Sequence, residues 1–228
     1  MRAPSELEAV YAQAVARLRG APGSAHLMGI GGVGVAGLAP LLQARGWRIS
    51  GCDLGDNRIT QWLAGRGVAV ARGHDPRHLD RELGWLIRSS AVPADHPEVL
   101  AARTQGAFVC ARGVALAALV RDARSVAVGG THGKTTTTAM IAQIAQQTDP
   151  AAGWAIGGEV RGEDGVASAP ASGGTLVVEA DESDGTLALY APTVGVVTNI
   201  DFDHMEHFAG EPEFFAVFRA FAGRVRER

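Results

Sequence analysis

Two stretches, AHLMGIGGVG at residues 25–34 and SVAVGGTHGKTTTT at residues 125–138, each run a short apolar segment into a glycine-rich turn and then into a helical pattern. A buried strand that ends in a glycine turn and feeds a helix is the repeating unit of parallel α/β sheets. Meeting it twice narrows the possibilities to an α/β fold with two ligand-binding turns, one in each half.

Ser5 and Glu8 have capping-box spacing, and Leu7, Val10, Tyr11, Ala14, Val15 and Leu18 recur with helical period, so residues 5–19 are expected to form an amphipathic helix. A strand at 25–30, a helix at 35–46 closed by Gly46 and a strand at 47–53 make a βαβ unit. Weaker alternation predicts a strand at 85–90, a helix at 97–106, a strand at 107–112 and a helix at 114–123, closing a Rossmann-like parallel-sheet domain over residues 1–122. The second domain, 123–228, opens with a strand at 125–130 and a helix that follows it. TLVVEA (175–180) and TVGVVTN (193–199) read as its central strands, RGEDGVASAPASGG (161–174) as a mobile polar loop, and the tail from Pro212 as a helix. With so few strands, this domain reads as the first portion of a larger one.

The bulk numbers remove several classes. At 228 residues, 46% hydrophobic and 20% charged, the chain has the balance of a globular protein. A net charge of -3 with scattered Lys and Arg gives no electrostatic footprint for nucleic acid or an anionic membrane, which leaves small molecules as the expected partners. Cys52 and Cys110 form no C-x-x-C pair, which argues against a disulfide framework or zinc knuckle and fits reduced thiols. The most apolar run, VALAALV at 114–120, is too short to cross a bilayer, and no charged-then-apolar leader opens the chain. A cytoplasmic location is the expectation.

In GIGGVG, Gly29, Gly31 and Gly34 have G-x-G-x-x-G spacing between a strand and a helix, and Asp53 ends the next strand. Glycine lets the backbone approach a pyrophosphate at a helix N-terminus, and the carboxylate can accept from ribose hydroxyls. Any diphosphate nucleotide fits this geometry, so NAD and a sugar nucleotide both remain open.

In GGTHGKTT, backbone amides can wrap phosphate oxygens, Lys134 can neutralise terminal phosphates, and Thr135 can offer a hydroxyl to magnesium. The spacing is one residue short of G-x-x-x-x-G-K-[ST], because Val128 stands five before Gly133. Glu179 ends an apolar strand, where a P-loop fold places a metal-holding carboxylate, with Asp181, Glu182 and Asp184 beside it. TNIDFDHMEHF repeats the arrangement: Asn199 ends a strand, and Asp201, Asp203 and His204 follow. His204 and His207 have H-x-x-H spacing but no third zinc ligand nearby. Oxygen-rich surroundings favour Mg²⁺ or Mn²⁺, with His204 as a nitrogen ligand.

Read together and in order, GIGGVG, GCDL, SSAVPADHPEV, GGTHGKTTTT, EADESDG and TNIDFDH resemble the Mur ligase family over roughly residues 26–208, and most closely its alanine-adding branch. The resemblance implies a Rossmann-like domain that holds the UDP portion of UDP-N-acetylmuramate, followed by a partial P-loop-type ATP-binding α/β domain. It also implies a reaction in which ATP phosphorylates the muramoyl carboxylate and an amino acid, here L-alanine, attacks the acyl phosphate. Carried onto this sequence, Gly130, Thr131, His132, Gly133, Lys134, Thr135, Thr136 and Asn199 would hold ATP. Gly29, Gly31, Gly32, Val33, Gly34, Asp53 and Ser90, with His132, Asp181, Glu182 and Ser183, would hold the UDP-sugar. Thr135, Glu179 and His204 would ligate metal, and Lys134, Glu179 and His204 would carry the chemistry. A module that binds nucleotides without turnover, either a truncation or one half of a split pair, is a second reading, and a ligase of the same family that attaches a recycled peptide ranks below it as a third.

Two departures stand out. Val35 and Ala36 replace the Met and Ser usual in the family, and Cys52 stands in GCD where Ser is usual, changes that leave the backbone cradle intact. The resemblance further implies the remainder of the central domain and a C-terminal domain beyond Arg228, supplied by the same or another chain, so residues 1–228 are expected to be inactive alone.

Overall fold

The computed structural model describes residues 4–158, 167–168, 174–183, 185–202 and 208–226. In chain order these form α1 (Pro4–Arg19), β1 (Ser24–Met28), α2 (Val33–Ala36), α3 (Leu38–Gln43), β2 (Arg48–Asp53), α4 (Arg58–Ala64), β3 (Ala69–Arg72), β4 (Leu83–Arg88), α5 (Pro97–Thr104), β5 (Phe108–Ala111) and α6 (Arg112–Arg121). They continue with β6 (Ser125–Gly129), α7 (Lys134–Thr148), β7 (Gly153–Ala155), β8 (Ala167–Ser168), β9 (Leu176–Glu179), β10 (Val194–Val197) and α8 (Glu211–Arg224). The chain divides into two compact units.

The first unit holds residues 20–112 and β8. Its sheet has the parallel order β3-β2-β1-β4-β5. All five residues of β1 are buried, as a strand covered on both faces requires. Strand order reverses between β1 and β4, and ligands of open α/β sheets sit beyond the carboxyl ends of strands at such a point. Met28, Leu83, Leu86, Val99 and Ala102 pack as a core beneath it.

Two elements here were not legible in the sequence. Helix α4 is started by Asn57, whose side chain accepts from Thr60 N at 2.9 Å while its own N–H donates to the Thr60 hydroxyl at 2.9 Å. That is a capping box written N-x-x-T, without the Glu or Gln of the usual pattern. Strand β3 is only half-buried and shows no apolar alternation. The expected continuous helix over 35–46 is instead two short helices, α2 and α3, separated at Gly37.

The second unit carries a parallel sheet in which β10, β6, β9 and β7 lie in that order. The contacts group α1 and α6 with this unit. The reason is packing: α6 is buried from Gly113 to Val120, and a Cβ on Gly113 would lie 2.1 Å from Thr186 Oγ1. Polar ties agree, since Ser125 Oγ donates to the Val120 carbonyl at 2.9 Å and Arg19 Nε donates to Asp122 at 3.1 Å. Helix α8 buries Phe214, Val217, Phe218 and Phe221, the apolar face expected of the tail. The loop expected at 161–174 falls largely outside the described residues. Among the described residues, no helix is long and apolar enough to cross a membrane.

Candidate functional site

In the first unit the turn after β1 lines a cleft of about 540 Å³ together with the ends of β2 and β4. Gly29 takes φ +77°, a left-handed conformation that glycine adopts without penalty, and a Cβ there would sit 2.9 Å from Ser89 Cβ. The turn is braced from below, because Gly29 N and Ile30 N both donate to the Cys52 carbonyl, at 2.8 and 3.1 Å. It is braced from the side as well. Gly31 N donates to Asp53 Oδ2 at 2.8 Å, and Asn57 Nδ2 donates to the Gly31 carbonyl at 3.0 Å.

Asp53, read from the sequence as a ribose acceptor, therefore spends one oxygen fixing the loop. It still lines the cleft with Gly29, Gly31, Gly32, Asn57 and Ser89. Ser90, the expected contact, is exposed and is not part of the lining; its neighbour Ser89 is. Gly34 has a different neighbour: a Cβ there would lie 3.2 Å from Cζ and Nε of Arg112, so a guanidinium rests against the glycine loop. Sequence reading missed Arg112, Asn57 and the histidines His74 and His96 on the cleft wall, because nothing in their local sequence ties them to residues 29–34.

In the second unit the turn after β6 leads directly into α7, with Gly133 in the left-handed region at the helix N-terminus. Lys134 Nζ folds back over the turn, donating to the carbonyls of Gly130 at 2.6 Å and Thr131 at 3.1 Å. It also donates to Glu182 Oε1 at 3.0 Å, with Oε2 at 2.9 Å. Glu182, assigned from the sequence to the sugar nucleotide, is thus found buried against the lysine of the phosphate turn. Burial pushes its carboxyl above the ordinary range, and the hydrogen bond from Lys134 opposes that shift. Thr138 Oγ1 donates to the Lys134 carbonyl at 2.7 Å and holds the first turn of the helix.

Thr135 and Glu179 meet. Thr135 Oγ1 donates to Glu179 Oε1 at 3.0 Å, and Gly157 N donates to Oε2 at 2.7 Å. Two oxygens 3.0 Å apart fit adjacent corners of an octahedron with metal–oxygen bonds of about 2.1 Å, the geometry of Mg²⁺. Asn199 does something the sequence did not suggest. Its Oδ1 accepts from His132 N at 2.9 Å, its Nδ2 donates to the His132 carbonyl at 3.0 Å, and its own carbonyl accepts from Thr131 N at 3.0 Å. Asn199 thereby acts as a two-sided backbone clamp on the turn, while the residues His132, Gly133 and Thr136 are exposed. Asp181 Oδ1 accepts from Ser183 N at 3.0 Å, a local turn. Asp184, Asp203, His204 and His207 lie outside the described residues, and with them the expected nitrogen ligand His204.

Comparison with known proteins agrees with both halves. The description "Mur ligase family, catalytic domain" matches residues 24–124, and "Mur ligase middle domain" matches residues 128–228. A UDP-N-acetylmuramate–L-alanine ligase of Kineococcus radiotolerans is 46% identical over 93% of this chain and 44% of its own length. One of Thermosynechococcus vestitus is 44% identical over 88% of this chain and 43% of its own. Among solved structures, the UDP-N-acetylmuramate-alanine ligase of Thermotoga maritima superposes with a TM-score of 0.80 at 25% identity, covering 89% of this chain and 47% of that one. A UDP-N-acetylmuramate:L-alanyl-gamma-D-glutamyl-meso-diaminopimelate ligase of Neisseria meningitides also reaches 0.80, at 26% identity over 91% of this chain and 70% of that one. The chain spans less than half the length of the curated relatives it matches.

Proposed function

The chain belongs to the Mur ligase family, and from that premise we propose that it carries the two nucleotide-binding units of an ATP-dependent ligase that joins L-alanine to the carboxylate of UDP-N-acetylmuramate in peptidoglycan synthesis. The observation that carries the reading is the pairing of two built turns in one chain: Gly29–Gly34 braced by Asp53 and Asn57, and Gly130–Lys134 braced by Asn199 with Thr135 against Glu179. A dehydrogenase would need only the first.

In this reading the first turn binds the diphosphate of the UDP-sugar, with Arg112 beside Gly34 supplying a positive charge. The second turn binds ATP: Lys134 exchanges Glu182 for the terminal phosphates, on a turn whose Thr131 and His132 amides are held by Asn199. Thr135 and Glu179 would hold Mg²⁺, which when bound neutralises charge on the transferred phosphoryl group. The muramoyl carboxylate takes that group, and the amine of L-alanine displaces phosphate from the acyl phosphate. All reacting groups are anionic until the amine enters, so fixed cations and amides supply most of the catalytic effect.

The test is incubation of the purified chain with MgATP, UDP-N-acetylmuramate and L-alanine, following phosphate release and product mass. Binding of the UDP-sugar without turnover is the result expected if the chain is the binding portion of the ligase. Turnover would show that these residues suffice, and failure to bind the UDP-sugar would overturn the reading. Because the Neisseria peptide ligase superposes as well as the alanine ligase does, the amine is varied too; a product with L-alanyl-γ-D-glutamyl-meso-diaminopimelate and none with L-alanine favours the recycling reaction.

Asp53→Ala should release Gly31 and weaken UDP-sugar binding about 10-fold or more, the worth of a hydrogen bond to a charged group. Affinity for ATP should stay within about twofold, since the two turns belong to separate compact units and are expected to act independently. Calorimetric titration of the two ligands separates these outcomes.

A further inference from the structure

Beneath the first turn lies a side-chain cluster that nucleotide binding does not use. His26 on β1, Cys52 on β2 and Glu98 on α5 are each no more than 1% exposed. His26 Nε2 lies 3.1 Å from Glu98 Oε1 and 3.3 Å from Cys52 Sγ, and Sγ lies 3.5 Å from both Glu98 oxygens. These three donors all lie within 4.8 Å of one another, and His74 stands beside them, its Nδ1 3.0 Å from Cys52 Sγ and 3.9 Å from Glu98 Oε2.

Three independent features of this cluster call for a cation. The first is spacing. Ligands of a tetrahedral zinc ion, at bond lengths of about 2.0–2.3 Å, stand roughly 3.3–3.6 Å from one another, close to the 3.1, 3.3 and 3.5 Å that separate the donors of His26, Cys52 and Glu98. The second is charge. Glu98 is fully buried, and its partners among the described residues are three histidines and a thiol, with His78 Nδ1 at 4.0 Å. A buried carboxylate needs a compensating positive charge. A dication bound by one thiolate, one carboxylate and two neutral imidazoles gives a site of zero net charge. The third is orientation. His26 Nδ1 is 2.9 Å from Ser50 Oγ, the outer hydrogen bond that fixes a metal-bound imidazole and leaves Nε2 free to coordinate.

We propose that His26, Cys52, His74 and Glu98 form a binding site for a zinc-class transition-metal dication. Mixed nitrogen, sulfur and oxygen donors select such an ion over Mg²⁺. A bound dication is what would make Cys52 a thiolate ligand. The Cys52 carbonyl accepts from Gly29 and Ile30, so the ion would stiffen the strand end from which the first turn springs. The site does not depend on which nucleotide that turn holds.

The test uses the purified chain without an affinity tag of histidines, loaded with Zn²⁺ or Co²⁺ and desalted. About one equivalent of zinc is expected, and cobalt should show a thiolate-to-metal charge-transfer band with intense tetrahedral visible bands. Cys52→Ser should remove the charge-transfer band, Cys110→Ser should keep it, and Ser50→Ala should weaken metal affinity about 10–100-fold. Circular dichroism confirms that each variant is folded, and His74→Gln, at a partly exposed position, provides a second ligand variant should Cys52→Ser unfold. Failure of the folded wild-type chain to retain metal, or a cobalt spectrum without the thiolate band or unchanged by the variant that folds, would show a purely hydrogen-bonded cluster and overturn the proposal.

Discussion

Lys134→Ala is expected to weaken ATP binding by about 10–100-fold, the loss of a charge-assisted contact to phosphate, while UDP-sugar affinity stays within about twofold. In an assembled ligase the rate should fall by about 10²–10³ or more, the usual cost of removing a fixed donor from a developing charge. The variant carries a second consequence, because Lys134 is the cation facing buried Glu182. Breaking a buried ion pair costs about 3–5 kcal/mol when the remaining charge stays ionised. Glu182, whose carboxyl is already raised by burial, can escape part of that cost by taking a proton. The double variant Lys134→Ala/Glu182→Gln separates the two effects: it should regain most of the lost stability in a urea melt and none of the lost ATP affinity. Recovery of both would mean that the single variant merely unfolds the turn.

The largest stability effect is expected at Gly130. Its φ of +131° lies where L side chains are rarely found, and a Cβ would stand 2.1 Å from Thr198 Oγ1 and 3.0 Å from the Asn199 carbonyl. Neither neighbour is free to yield. The Thr198 hydroxyl donates to the His132 carbonyl at 2.7 Å, and the Asn199 carbonyl accepts from Thr131 N at 3.0 Å. Gly130→Ala combines backbone strain with overpacking, about 2–6 kcal/mol in total, a large fraction of the stability of an ordinary domain. Urea unfolding followed by circular dichroism measures it; a change under about 0.5 kcal/mol, the size of an ordinary surface substitution, would contradict the turn geometry. Gly133→Ala is the comparison, since its Cβ would meet nothing within 4 Å and only its φ of +79° is unfavourable.

These two positions show what the sequence could and could not convey. The strand–glycine–helix units were legible because apolar runs and glycine spacing are local properties, and Lys134, Thr135 and Glu179 followed from where a phosphate turn places its partners. The strict P-loop spacing fails by one residue, and the structure shows a tight turn all the same, with Gly130 and Gly133 both at positive φ. What stayed hidden depends on tertiary proximity. Asn199 reads as a polar residue after a strand, yet folding puts it across the backbone of His132, 67 residues away. Glu182 sits in an acidic turn whose sequence does not say which cation it faces. The cluster of His26, Cys52, His74 and Glu98 draws one residue from each of four separate segments, so no spacing rule could gather it.

The central claim is that the two turns hold two different ligands, and crossed titration calorimetry tests it directly. The chain is saturated with a non-hydrolysable ATP analogue and Mg²⁺ and then titrated with UDP-N-acetylmuramate, and the order is reversed. The account predicts that each ligand binds with its full stoichiometry in the presence of the other. Mutual displacement, or loss of UDP-sugar binding when the ATP analogue occupies the chain, would mean a single shared site and contradict it.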